Sequence, residues 1–231
     1  MNISQSAARR TLMVALLPGA LIGGCAPYPP APVAVVSAPR LKAGETWVYE
    51  QINPYNGEYV RTLTDELAQV DGGVEIVQRS SRPQDPVETQ YGPGPWQLGL
   101  ERVEPGGGAA FTPPLALVRF PLAPGRSWHQ TITVRDARGA RHVWSCVAHA
   151  LDWERVATPA GSYPALRIVL QRSLGDADAV WNDTMEYEVL WYAPAVQRWV
   201  RRELRTERVE RAYIPRVQRD WIVWELTAYH P

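Results

Sequence analysis

The sequence predicts an all-β protein: a single domain of curled antiparallel sheet, shaped as a half-barrel or as two facing sheets. Three observations carry this. Candidate strands are short and closely spaced, the segments between them carry turn chemistry, and one stretch of the first half recurs in the second.

The candidate strands are Glu45–Ile52, Glu58–Val70, Val74–Ser80, Trp96–Val103, Ser127–Val134, Arg141–Val156, Ala165–Arg172, Glu186–Tyr192, Arg198–Glu207 and Arg219–Tyr229. Between them stand Asn56-Gly57, Asp71-Gly72-Gly73, Arg138-Gly139 and Pro159-Ala160-Gly161, where glycine or asparagine takes positive φ at little cost. Short strands joined by tight turns predict an antiparallel meander. No long stretch has convincing helical periodicity; Trp144 to Trp153 is the main ambiguity.

The internal echo is L-x-x-G-x-[S/T]-W, which occurs as Leu41 to Trp47 and again as Leu122 to Trp128. Each copy leads into a strand, a turn at Gly57 or Gly139, a long strand, a second turn and a third strand. The third strands align as Val74–Ser80 with Arg167–Ser173. A repeat at this spacing indicates a duplicated unit, against the plainer reading that any meander reuses its turns.

The N-terminus has a different logic. Met1 to Arg10 carries Arg9, Arg10 and no acid, and an apolar run follows from Thr11 to Ile22. That is the order of a secretory signal, and the run falls short of the ~20 residues a transmembrane helix needs. Leu21-Ile22-Gly23-Gly24-Cys25 then resembles the lipobox of bacterial lipoproteins. The resemblance implies cleavage after residue 24, a diacylglyceryl group on the Cys25 thiol and acylation of its amine. Membrane lipid, reached through Cys25, is thus the first expected partner. Ala26 is not the aspartate that usually retains such proteins in the inner membrane, so the expected location is the outer membrane, facing the periplasm. Residues 25 to 40 contain five prolines and read as an extended polyproline tether. The expected organisation is a signal peptide over 1–24, a tether over 25–40 and a β domain over 41–231.

Composition narrows the function. The chain has 24 basic and 24 acidic residues; cleavage removes Arg9 and Arg10 and leaves a net charge of −2. Such a chain lacks the basic face that gathers phosphates, so nucleic acid is not an expected partner. With Cys25 acylated, Cys146 has no intramolecular disulfide partner.

Three stretches of the second half, Pro121 to Trp128, Val156 to Ile168 and Trp191 to Val200, resemble landmarks of periplasmic β proteins similar in outline to the LolA/LolB-like lipoprotein fold. That resemblance implies a curled sheet with an apolar interior, and function far less than fold. Its members tend to have glycine where this chain has Gln197.

Catalytic and metal chemistry find little support. On a strand His142 and Cys146 share a face about 13 Å apart while His149 points the other way, too spread for a zinc site; a helix there would align all three. No G-x-S-x-G elbow occurs, and Ser145 sits mid-strand. Glu186 and Glu188 share a strand face, but a hairpin pairing Glu188 with Arg202 and Leu190 with Val200 accounts for them as a cross-strand ladder. No enzyme activity and no cofactor is expected. The ten tryptophans all lie beyond residue 24, against two phenylalanines. Trp191, Tyr192 and Trp199, gathered around one turn, are the candidate contact residues for a ligand or partner, although core packing accounts for most of the aromatics. The leading expectation is a non-enzymatic envelope lipoprotein that binds an apolar ligand such as a lipid. The alternative is a structural or assembly factor meeting peptidoglycan or a membrane protein, and a hydrolase stands third.

Overall fold

Alternation decides the architecture. In Ser127–Asp136 the buried residues are Trp128, Gln130, Ile132 and Val134, and the exposed ones Ser127, His129, Thr131, Thr133 and Arg135. A strand so patterned needs one dry face and one wet face. In the computed structural model that need is met by twelve described strands closing into a barrel. The structure describes residues 34–69, 72–175, 183–210 and 216–231. Cys25, the expected signal segment and most of the expected tether lie outside them.

The strands are β1 (Thr46–Asn53), β2 (Glu58–Gln69), β3 (Val74–Ser80), β4 (Glu88–Gly92), β5 (Gln97–Val103), β6 (Gly107–Ala116), β7 (Ser127–Asp136), β8 (Arg141–Thr158), β9 (Gly161–Gly175), β10 (Asp183–Ala193), β11 (Arg198–Glu210) and β12 (Arg216–His230). Each pairs antiparallel with its neighbours in sequence, and β12 returns to β1 with Trp47 opposite Tyr229 and Tyr49 opposite Leu226. The sheet is therefore all-β and antiparallel as the sequence predicts, but it closes fully instead of forming a half-barrel or two facing sheets. Closure leaves no open edge among these strands. The LolA/LolB-like resemblance implies a curled sheet with an apolar interior; here the sheet curls until it closes on itself.

β4 and β6 have no counterpart among the predicted strands. Glu88-Thr-Gln-Tyr-Gly has no apolar alternation, and β6 contains Pro113 and Pro114, which cannot donate to a ladder. The β6–β7 pairing ends at Thr112 opposite Thr133, so both prolines lie past its last paired residue.

The echo is structural. Gly44 N–H donates to Leu67 O and Leu67 N–H to Glu45 O, at 2.8 and 2.9 Å; Gly125 N–H donates to Ala150 O and Ala150 N–H to Arg126 O, both at 2.8 Å. Each half is six strands long, β1–β6 and β7–β12. Since Leu67 faces Ile76 and Ala150 faces Ile168, Ile76 corresponds to Ile168, one residue away from the match of the third strands by sequence.

Both corners, and the chain entering from residue 34, lie at one rim. There Val36 bridges to Leu122, and the β8–β9 hairpin, bent by a bulge between Ala150 and Trp153, folds over so that Ala160 N–H donates to Leu226 O of β12 at 3.0 Å. Trp153, Val156 and Ala165 are buried beneath it. This closed rim holds the apolar core. Four outward side chains of β11, Arg201, Glu203, Arg205 and Glu207, are charged, unlike a membrane-spanning barrel's apolar band.

Candidate functional site

The interior has two zones. Toward the closed rim, Arg198 is buried among aromatic rings. Its guanidinium lies 4.3 Å from the Trp199 ring centre, 4.8 Å from Trp96, 5.0 Å from Trp47 and 6.0 Å from Tyr49. Nη2 donates to Asp65 Oδ2 at 2.6 Å, and Gln78 Nε2 donates to Asp65 Oδ1 at 2.7 Å. Nε and Nη1 have no oxygen acceptor; the rings' negative faces take that place. Tyr49 hydroxyl donates to Trp199 O at 2.8 Å and Trp47 Nε1 to Val196 O at 2.8 Å. These bonds tie β1 to β11 and its turn across the closure.

Toward the opposite rim the interior is ionic. Glu188 is fully buried and takes Arg202 Nε on Oε1 at 2.6 Å and Arg172 Nη2 beside Oε2 at 2.7 Å; Arg172 Nε reaches Glu186 Oε2 at 2.9 Å. Burial pushes the Glu188 carboxyl up, but the two guanidiniums overcome it and hold it below the usual range. Glu88 faces the same interior, and burial, with Glu101 nearby, pushes its carboxyl up. Arg202 also covers the Trp224 ring at 4.7 Å.

The register of this region differs from the expected ladder. Glu188 faces Leu204 and Leu190 faces Arg202, so Arg202 reaches Glu188 diagonally and Val200 is not opposite Leu190. The cause is a bulge between Trp191 and Tyr192 and a single 3₁₀ turn, Pro194–Val196. Gln197 follows at φ 57°, the left-handed conformation that favours glycine. Its amide donates to Glu45 Oε1 at 3.3 Å, which offsets part of the strain.

The three candidate aromatics separate. Trp191 lies on the outer face, donating Nε1 to Glu154 Oε2 at 2.9 Å under the Arg201 guanidinium. Tyr192 and Trp199 are enclosed, 1% and 4% exposed, Tyr192 against Phe120 and Trp199 against Trp96. His142 and Cys146 face inward and His149 outward, and burial pushes the Cys146 thiol up, which suppresses thiolate chemistry. His129 Nε2 stands 3.3 Å from Ser145 Oγ on the exposed face, an approach between β7 and β8 that depends on register and is invisible in sequence.

Two clefts open on the outer wall. One of about 310 Å³ runs past Gly73, Gly92 and Gly99 between Tyr91, Leu100 and Pro93. The other, about 250 Å³, lies between Tyr55, Tyr187, Arg205, Glu207, Arg219 and Trp221. Both combine aromatic surface with a few polar groups, the composition of binding sites.

No family model matches the chain, and no curated protein sequence matches it. Two solved structures are similar in fold. One is described as a "putative lipoprotein" from Parabacteroides distasonis, with a TM-score of 0.50 and 13% identity over 84% of this chain and 99% of that one. The other, described as a "putative exported protein with YmcC-like fold" from Bacteroides fragilis, has a TM-score of 0.48 and 13% identity over 85% of this chain and 100% of that one. At this identity the likeness to the first is one of fold alone.

Proposed function

We propose that the chain is a lipid-anchored lipoprotein of the bacterial cell envelope, held in the outer membrane through acylated Cys25, whose barrel is a non-enzymatic docking body for an envelope partner. The lipoprotein-type description of the Parabacteroides structure and the lipobox at Cys25 support the anchor. The observation that carries the docking role is the content of the barrel. The closed half is packed with Trp47, Trp96, Trp199 and Leu226, and the other half is lined by Glu188, Arg172, Arg202 and Glu88. An acyl chain in that half of the interior would lie against buried charge, which costs several kcal/mol. Binding is therefore assigned to the outer wall.

A second reading, an acyl chain held at the rim opposite the corners, is favoured by the partly exposed, inward Trp144, Leu204 and Ile222. Fractionation and native mass spectrometry separate the two. Wild-type protein should sediment with outer membrane, and Cys25→Ser should move to the soluble fraction. A Cys25→Ser protein that stays on the membrane overturns the anchor. The soluble domain should fly at its bare mass; a retained lipid would establish the second reading.

A further inference from the structure

The outer face of β10, β11 and β12 near the rim opposite the corners is ordered in rows by the register. Tyr187, Arg205 and Trp221 lie opposite one another, as do Met185, Glu207 and Arg219 in the next row and Val209 and Val217 in the one after. Tyr55, from the β1–β2 turn, extends the first row, its ring edge-on to Trp221 at 5.7 Å. Four side chains at strand spacing make that row about 14 Å long.

We infer that this strip is a docking surface for a second envelope protein, engaged through a segment that pairs an apolar side chain with a carboxylate. The inference rests on the proposed Cys25 anchor for its orientation. The chain enters at the closed rim, so the strip stands at the end of the barrel away from the membrane.

Composition argues for a protein partner. Tyr, Trp, Met and Arg are the residues enriched in interfaces and their energetic centres, and here they share one face. Of the six large hydrophobic side chains exposed among the described residues, Tyr55, Tyr187 and Val217 fall on this strip. The strip is also preorganised. Arg205 stacks over Trp221 at 4.2 Å while Tyr55 closes against the same ring, so little side-chain freedom is lost on binding. Arg205 thus covers one face of the indole, which reduces the ring surface on which a sugar could stack.

Charge selects the partner's sign. Arg205 and Arg219 are 59% and 69% exposed, against 42% for Glu207, which Arg219 already pairs at 2.9 Å; the carboxylate nearest Arg205 is Glu203 at 3.8 Å. Arg205 is thus a guanidinium fixed on an aromatic floor with no carboxylate among the described residues closer than 3.8 Å, and a partner's carboxylate can take it bidentately.

The test is photo-crosslinking of the full-length, processed protein in its own cells, with p-benzoylphenylalanine at position 187 and, as a control, at position 143, where Val143 is also exposed. Position 187 should give one discrete protein adduct absent at 143, with Asp or Glu in the crosslinked peptide. Arg205→Glu with Arg219→Glu should lower its yield at least tenfold. Arg205→Ser alone, which keeps the row next to it intact, should lower it several-fold and guards against a folding defect. An adduct at twice the chain's own mass, a muramidase-sensitive smear, or a yield indifferent to both variants would overturn the proposal. Fractionation of the same cells reports the anchor separately. A soluble protein that still forms the adduct overturns the anchor and keeps the docking surface, whereas a membrane-bound protein without the adduct overturns the docking surface alone.

Discussion

The two six-strand halves share a corner and part company at the hairpin that follows it. In the first half β2 and β3 turn back soon after Leu67, and the glycines nearby, Gly73 and Gly92, leave a cleft on the wall. In the second half β8 and β9 run on past Ala150, bend, and cross the rim to β12. The same contrast marks the next turns. Counting back from Tyr91 opposite Leu100 and Trp191 opposite Arg201, Trp96 and Gln197 are equivalent, and both have positive φ, 56° and 57°. The first turn contributes its left-handed residue, Trp96, to the core; the second contributes the following pair, Arg198 and Trp199. A duplicated frame thus has one half build the lid and each half supply part of the aromatic cage.

The largest effect should come from that exchange. Arg198→Met leaves Asp65 buried without its cation and should cost about 3–5 kcal/mol, read as a fall in the urea midpoint. The equivalent Gln97 is exposed, and Gln97→Met should stay within about 0.5 kcal/mol. Arg198→Met with Asp65→Leu should recover much of the loss, because an apolar pair can replace a buried ionic one. If Arg198→Met cost no more than Gln97→Met, the cage would not be what joins the halves.

Much of the frame was legible in the sequence, because alternation and turn glycines are local. Trp128, Ile132 and Val134 announce a half-buried strand by themselves, and the repeat around Gly44 and Gly125 announces the corner. What was not legible is what register creates. Nothing near Trp47 points to Tyr229, so closure stays hidden, and the bulge at Trp191 moves Arg202 from Glu188 to Leu190. The Arg198 cage draws on β1, β2, the β4–β5 turn and β11. Its one sequence trace is Asp65, a charge at an inward position among Leu63 and Leu67 of β2. Trp191, Tyr192 and Trp199 show the same limit, since composition gathers aromatics around a turn but cannot say which side of the sheet each takes.

The corners offer a more even comparison. Gly44 and Gly125 have φ of +92° and +78°, and an added Cβ would meet nothing within 4 Å at either. Gly44→Ala and Gly125→Ala should therefore cost only backbone strain, about 1–2 kcal/mol each, and agree with one another. A difference between them larger than that range would mean that the two corners, alike in their hydrogen bonds, are not alike in load.

The smallest effect should separate the corners by pH. Glu45 is 1% exposed, with Oε2 lacking any hydrogen-bond partner, and its counterpart in the second corner is Arg126. Burial raises the Glu45 carboxyl above its ordinary 4.5, against the opposing pull of the Lys42 amide and ammonium. The unfolded chain then releases this proton at lower pH than the folded one. Stability is greatest below the unfolded value, falls as pH rises through the window between the two, and is level above it. Glu188 has the opposite sign, with its contribution present above the unfolded value and lost as pH falls through the folded one. Both variant and wild type carry Glu188, so it cancels in their difference. The melting temperature of Glu45→Gln minus that of wild type should therefore rise from about pH 4 upward and then level off, while Arg126→Gln minus wild type should stay flat over the same range. A flat difference for Glu45→Gln would mean that the buried carboxyl in the first corner finds its missing partner in water.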